Sequence, residues 1–243
     1  MNYVIIGNGT AAVGTIEGIR AVDQNGPITV ISEEPYHVYG RPLISYMLLG
    51  KTTEEKMLQY RPADFYEKNG VTTLLGRKAV KIDAAAKSVL LEGGESVPYD
   101  KLCICTGSRP FVPPMAGLDT VENKTSFMTL DDAKHLDAML GSEADKRVLI
   151  IGAGLIGLKC AEGIYQRVRE LTVIDLAPRI LPNVLTEVPA SIIQKHIESK
   201  GVKFLLEDSV EQFEPNTAHL KSGKAVEFDV LVVAVGVRPN TVL

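Results

Sequence analysis

The chain has 243 residues, 45% of them hydrophobic and 23% charged, with 26 Lys+Arg against 30 Asp+Glu and a formal charge of −4. At about 100–200 residues per domain, that is one large or two modest globular domains, and the charge balance argues against a nucleic-acid or membrane-surface footprint. Three cysteines are too few for a secreted disulfide scaffold, and the longest apolar stretches, Val148–Leu158 and Val230–Val237, fall short of the ~20 residues that span a bilayer.

Tyr3–Ile6 reads as a core strand running straight into glycines, so no leader is expected and a soluble cytoplasmic protein is. A helix with small residues on one face follows (Thr10–Ala21), then a β-branched run (Ile28–Ile31) and a helix ending near a glycine (Ala63–Lys68). Short alternating segments at Ala79–Ile82, Ser88–Leu91 and Ser96–Pro98 predict a three-stranded antiparallel meander, and Leu102–Cys105 a buried closing strand. Pro110, Pro113 and Pro114 punctuate the exit. Thr129, with Asp131 and Asp132 behind it, predicts the N-cap of a bridging helix, and the polar stretch Gly141–Lys146 leads on. The same series then returns: strand into glycines, helix Leu155–Val168, strand Leu171–Ile174, helix Ala190–Ser199, meander Val210–Phe213, Ala218–Leu220 and Ala225–Glu227, and closing strand Val230–Ala234.

The return is a domain-sized repeat. Val4–Gly9 matches Leu149–Gly154 at an offset of 145, Asn69–Val71 matches Lys200–Val202 at 131, and Tyr99–Pro110 matches Phe228–Pro239 at 129. Strands alternating with helices predict an α/β fold of two Rossmann-like, doubly wound halves, each a parallel sheet plus a meander. The expected division is a first domain over 1–112, a linker with bridging helix over 113–146, and a second domain over 147–243. The copies differ most at Tyr36–Arg61, an insertion where one copy would acquire a role of its own.

Gly7-x-Gly9-x-x-Ala12 and Gly152-x-Gly154-x-x-Gly157 each lie between a strand and a helix. The first glycine permits the tight turn, the second lets backbone approach a pyrophosphate, and the third position must be small for helix and strand to pack. The helix N-terminus offers unpaired N–H groups and partial positive charge to phosphates. Glu33 or Glu34 in copy one, and Asp175 in copy two, stand at the end of the second strand, where a carboxylate accepts from ribose hydroxyls and repels a 2′-phosphate. No arginine replaces Asp175, and Arg179 is the nearest cation, so copy two is expected to prefer NAD(H) to NADP(H).

These motifs, with Glu33-Glu34-Pro35, Tyr39-Gly40-Arg41-Pro42-Leu43-Ile44-Ser45, Cys105-Thr106-Gly107-Ser108-Arg109-Pro110 and Gly236-Val237-Arg238-Pro239-Asn240, resemble the FAD-dependent pyridine nucleotide-disulphide oxidoreductase superfamily. The resemblance covers the whole chain and points to the branch of rubredoxin and ferredoxin reductases, NADH-dependent nitrite reductases, NADH oxidases and apoptosis-inducing-factor-type proteins. It implies that Gly7, Gly9, Thr10, Ala11 and Ala12 hold the FAD pyrophosphate, that Glu33 and Glu34 hold its ribose, and that Arg41 and Pro42 lie on its flavin side. Val80 would meet adenine through its backbone, and Cys105, Thr106, Gly107 and Arg109 would line the FAD cleft. NAD(H) would be held by Gly152, Gly154, Leu155, Ile156, Gly157 and Asp175, with Gly236 near the nicotinamide. The implied reaction is hydride transfer from NADH to flavin and on to an acceptor: a rubredoxin- or ferredoxin-like protein, a nitrite reductase centre or dioxygen. The other reading is a non-catalytic dinucleotide-binding subunit or part of a larger redox complex, with a homodimer or larger assembly formed through further chain.

Three positions depart from the family pattern. Tyr46 stands where R-P-x-L-S-K relatives have lysine, Lys159 where many relatives have glutamate, and Tyr36–Gly50 lacks the cysteine or cysteine pair of the disulphide reductases, peroxidases and oxidases. No residue is assigned a catalytic role and no metal site is expected. Cys103 and Cys105 are expected on opposite faces of their strand, as buried core thiols, with Cys160 in packing. His37, His135, His196 and His219 lack metal-ligand spacing and are expected at surfaces or caps. In the resembled family the chain returns to the FAD domain after the NAD domain. Leu243 falls where that return would begin, so a C-terminally shortened chain, or a subunit completed by another, is expected.

Overall fold

A computed structural model describes all residues, Met1–Leu243. In chain order, β1 (Tyr3–Ile6) leads through Gly7–Gly9 into α1 (Thr10–Val22) and β2 (Ile28–Ser32). The insertion holds two short helices, α2 (Ile44–Leu48) and α3 (Glu54–Met57), followed by α4 (Phe65–Lys68) and β3 (Val71–Leu75). The first meander is β4 (Ala79–Asp83), β5 (Ser88–Leu91) and β6 (Ser96–Pro98), and β7 (Lys101–Ile104) closes the copy. After β8 (Ser108–Pro110) and the short β9 (Lys124–Thr125) come the bridging helix α5 (Leu130–Leu140), β10 (Arg147–Ile151), α6 (Leu155–Ile164), β11 (Glu170–Asp175), α7 (Glu187–Glu198) and β12 (Val202–Leu206). The second meander is β13 (Val210–Glu214), β14 (Thr217–Leu220) and β15 (Ala225–Glu227), followed by β16 (Val230–Val233) and β17 (Val237–Pro239).

Two compact units result. The first comprises Met1–Gly40, Glu54–Arg109 and Pro239–Leu243, and the second Arg41–Thr53 and Pro110–Arg238. The insertion segment Arg41–Thr53 thus folds with the second copy, and the last five residues with the first. The first unit has a parallel sheet ordered β3-β2-β1-β7 and the second one ordered β12-β11-β10-β16-β9. Each also carries an antiparallel meander, as the alternation predicts. The edge strands β3 and β12, not expected from the sequence, follow the recurring Asn69-Gly70-Val71 and Lys200-Gly201-Val202 landmarks.

The helix ends move for local reasons. The bridging helix has the expected cap: Thr129 accepts from the Asp132 N–H at 3.0 Å, and Asp132 accepts from the Thr129 N–H at 3.0 Å. The α6 helix stops at Ile164, where the Arg167 N–H bonds back three residues to Ile164, so Tyr165 and Gln166 form a turn and Arg167 and Val168 leave the expected last helical turn. The α7 helix starts three residues early because Pro189 lies in its first turn, where the missing N–H costs nothing. Within the second unit α2 packs closely on α6: a Cβ on Gly163 would come 3.0 Å from the Ser45 carbonyl, Ser45 is fully buried, and Arg167 donates to the Leu48 carbonyl at 3.2 Å.

The recurring aspartates explain their own recurrence. Asp100 accepts from the Asn2 N–H at 2.7 Å while its own N–H donates to the Asn2 carbonyl at 2.8 Å. Asp229 repeats this with Arg147, at 2.7 Å and 2.8 Å. Each clamp ties the start of the first strand to the start of the last. In the second copy the Arg147 guanidinium adds two bonds to Asp229, at 2.9 and 3.2 Å, and holds that carboxyl below the usual carboxylate range. A depressed carboxylate pKa stabilises the fold above the ordinary value near 4, and that contribution is lost as pH falls through the folded value. Asp229→Ala is therefore expected to cost about 1–3 kcal/mol at neutral pH and to remove part of the wild-type loss of stability below about pH 4, both read by urea denaturation across pH.

Candidate dinucleotide-binding sites

Both glycine turns have the same backbone. Gly7 and Gly152 each have φ +110°, a conformation closed to side-chain-bearing residues. A Cβ on Gly7 would lie 2.1 Å from the Cys105 carbonyl oxygen, and one on Gly152 would lie 2.3 Å from that of Ala234. A Cβ on Gly157 would meet the Gly152 carbonyl oxygen at 1.9 Å, while its counterpart Ala12 is fully buried. The middle glycines are opposite in kind: Gly9 and Gly154 have nothing within 4 Å of an added Cβ. They are the N-caps of α1 and α6, extended, without a side-chain cap and with no acid in the first turn. The free N–H groups of Thr10, Ala11, Leu155 and Ile156 therefore face open space at the positive end of a helix, which suits an anionic pyrophosphate.

In the second unit these groups border a cavity of about 790 Å³ lined by Gly152, Gly154, Leu155, Ile156, Asp175 and Gly236, among others, within the size range of cofactor pockets. Asp175 is preset: its carboxylate accepts from the Ala153 N–H at 2.6 Å and the Ala177 N–H at 2.8 Å, which ties the end of β11 to the glycine turn. Arg179, the one nearby cation in sequence, donates to the Leu185 and Pro182 carbonyls at 3.2 and 3.3 Å and is not part of the cavity wall. The wall includes residues that sequence reasoning missed. Asp208, Ser209 and Lys221 come from the turns flanking β13 and β14, where Asp208 accepts from the Ser222 hydroxyl at 2.5 Å, a bond that lowers its pKa. Leu181, also in the wall, has φ +49°, uncommon for leucine, and is held by its N–H to the Ala153 carbonyl at 2.9 Å. A left-handed leucine leaves no signal in the sequence pattern, and the Asp208 turn lies outside the recurring landmarks.

In the first unit Glu33 pairs with Lys78 at 2.9 Å, and Glu34 accepts from the Tyr39 hydroxyl at 2.5 Å. Asn8, between the first two glycines, accepts from the Tyr66 hydroxyl at 2.6 Å and donates to the Tyr36 carbonyl at 3.1 Å, fixing the loop. Val80 sits at an irregularity between Ala79 and Lys81 that recurs between Val210 and Gln212; such a bulge frees backbone from the ladder. Thr106 and Gly107 bind the returning chain: the Thr106 hydroxyl donates to the Asn240 carbonyl at 2.8 Å, the Asn240 side chain donates to the Thr106 carbonyl at 2.9 Å, and the Asn240 N–H donates to the Gly107 carbonyl at 3.0 Å. Arg109 is exposed. Arg41 and Pro42 belong to the second unit, where Arg41 donates to the Met128 carbonyl at 3.3 Å.

Two expectations are corrected. Cys103 and Cys105 lie on one face, their sulfurs 3.5 Å apart, because residues two apart on a strand share a face; both are half-buried and not fully buried core thiols, whereas Cys160 is buried as expected. His37 is no surface or cap residue: its Nδ1 lies 3.1 Å from the Leu58 carbonyl and its ring packs on Tyr66, with Nε2 buried and unpartnered. The two departing residues meet: the Lys159 ammonium lies 4.2 Å from the Tyr46 ring centroid and pairs with Glu162, a cation–π contact in place of an acid–base pair.

Residues 1–243 match the model of the pyridine nucleotide-disulphide oxidoreductase family. The chain belongs to that family. Its members are FAD- and NAD(H)-dependent oxidoreductases, and the glycine cradles fit such dinucleotides. The chain is 35% identical over 246 residues to the nitrite reductase [NAD(P)H] of Bacillus subtilis (strain 168), covering 99% of this chain and 30% of the relative. It is 30% identical to the rubredoxin-NAD(+) reductase of Pseudomonas putida, covering 99% and 63%. Among solved structures, an NAD-dependent persulfide reductase from A. fulgidus superposes with a TM-score of 0.90 at 31% identity, covering 99% of this chain and 46% of that one. The chain therefore spans less than two thirds of the length of these relatives. No helix is long and apolar enough to cross a membrane.

The collisions at Gly152 and Gly157 predict that Gly152→Ala or Gly157→Val destabilises the second unit by about 1–3 kcal/mol or more through overpacking and strain, visible as a lowered melting temperature.

Proposed function

We propose that this chain is the dinucleotide-binding part of an NADH-dependent FAD oxidoreductase that passes electrons to a small redox protein or small-molecule acceptor. The first unit holds FAD through Gly7–Ala12, Glu33 or Glu34 and the backbone of Val80, Thr106 and Gly107. The second holds NADH through Gly152–Gly157 and Asp175. The observation that carries this reading is the pair of glycine turns with identical φ and open, uncapped helix N-termini, one of them bordering the 790 Å³ cavity beside Asp175.

Bound FAD supplies a redox centre that accepts hydride from NADH and releases electrons to the acceptor. The chain's own residues bind and orient: amides at the start of α1 and α6 meet the phosphates, and Asp175, already oriented by two amides, meets the adenosine ribose. A 2′-phosphate there would bring negative charge onto that carboxylate with Arg179 engaged elsewhere, which supports NADH over NADPH. The rubredoxin reductase relative supports a small redox protein as acceptor, and the nitrite reductase relative a nitrite reductase centre; dioxygen is the third candidate.

Anaerobic mixing of the FAD-loaded chain with each nicotinamide tests the proposal. Bleaching of the visible flavin band by NADH, faster than by NADPH, is expected, and Asp175→Ala is expected to narrow that preference by about tenfold or more, roughly the 1–3 kcal/mol of one charge-assisted bond. Nucleotide binding without any bleaching would instead support a non-catalytic binding subunit.

A further inference from the structure

Cys103 and Cys105 are the chemistry that the proposed oxidoreductase leaves unused. Cys103 in strand β7 and Cys105 just past its end both pack against the α1 side, while Ile104 between them is 57% exposed. Their sulfurs are 3.5 Å apart. Thr15 on α1 completes the group: its hydroxyl donates to the Ala11 carbonyl at 2.9 Å, so its lone pairs face Cys103 Sγ at 3.4 Å and Cys105 Sγ at 3.7 Å. Their surroundings are apolar: Cys103 and Cys105 pack on the cluster that holds Val13, Ile16 and Val30.

The separation decides what the pair suits. Two sulfurs each about 2.3 Å from one atom at a near-tetrahedral angle stand about 3.8 Å apart, close to what is found here. No third His, Cys, Asp or Glu joins them, which excludes the four-ligand site that structural zinc requires. Two thiols in an apolar niche suit a soft centre of low coordination number. We propose that Cys103 and Cys105 form a bidentate site for one soft, thiophilic metal or metalloid centre. With a trivalent arsenical of the type R–As=O, two As–S bonds form, the As=O bond is lost, both thiol protons leave with that oxygen as water, and no electrons are transferred. Occupancy would be felt at the first glycine turn, because the Cys105 carbonyl is the group that Gly7 turns against.

Phenylarsine oxide is the probe. The folded, reduced chain is expected to take up one equivalent with loss of one water by intact mass, to resist excess monothiol and to release it to a dithiol. Cys103→Ser and Cys105→Ser should each weaken binding about 100-fold, the usual gain from a second, intramolecular contact, and Cys160→Ser should leave it unchanged. In the wild-type chain, peptide mapping after alkylation should show Cys103 and Cys105 protected together, a readout that needs no variant to fold. Wild-type affinity in either single serine variant, or protection of one cysteine without the other, would overturn the proposal.

Discussion

The rest of the structure depends on one close approach of backbone to backbone. At the end of the first strand of each copy, a glycine with φ +110° lets the chain turn against the carbonyl that ends the last strand, Cys105 in one copy and Ala234 in the other. That carbonyl occupies the place of a Cβ, so only glycine fits. The contact exists because β1 and β7, like β10 and β16, are parallel neighbours in register, and the aspartate clamps at Asn2 and Arg147 set that register from the other end. With both ends fixed, the following helix has one direction available, and its N-terminus opens over the sheet's carboxyl edge, where ligands of α/β folds bind.

The two copies spend this shared frame differently. The second carries a carboxylate, Asp175, oriented by backbone amides beside an apolar cavity, with its nearest arginine turned to backbone carbonyls. The first carries two acids engaged by Lys78 and Tyr39, a stitched Asn8 and an insertion whose central part folds with the other copy. The departures from the family pattern are not isolated oddities, since Tyr46 and Lys159 face each other.

Much of this was legible in the sequence because the determinants are local. Glycine spacing, the Thr129 cap and the Tyr/Phe-Asp landmarks each encode a backbone requirement that acts within a few residues. The assignment of Arg41–Thr53 to the second unit was not legible, because it rests on Gly163 admitting the Ser45 backbone, a tertiary fit with no local pattern. Edge strands β3 and β12 carry half-buried residues without a clean alternation, so the period that marks interior strands is absent. The wall residues Asp208, Ser209 and Lys221 come from turns whose place beside the cavity depends on how the meander folds back. The cysteine pair was legible and misread: a period of two places both thiols on one face.

The central claim is that each copy offers one dinucleotide site built on an open glycine at a helix N-terminus. Gly9 and Gly154 give the cleanest measurement, because a Cβ added there has nothing of the fold within 4 Å, while a valine side chain would fill the space a pyrophosphate needs. Equilibrium binding of FAD and NADH to the chain and to Gly9→Val and Gly154→Val, at unchanged melting temperature, reads it directly. The account predicts that Gly9→Val loses FAD and keeps NADH, and that Gly154→Val does the reverse. Wild-type binding of NADH by Gly154→Val, or of FAD by Gly9→Val, would contradict it.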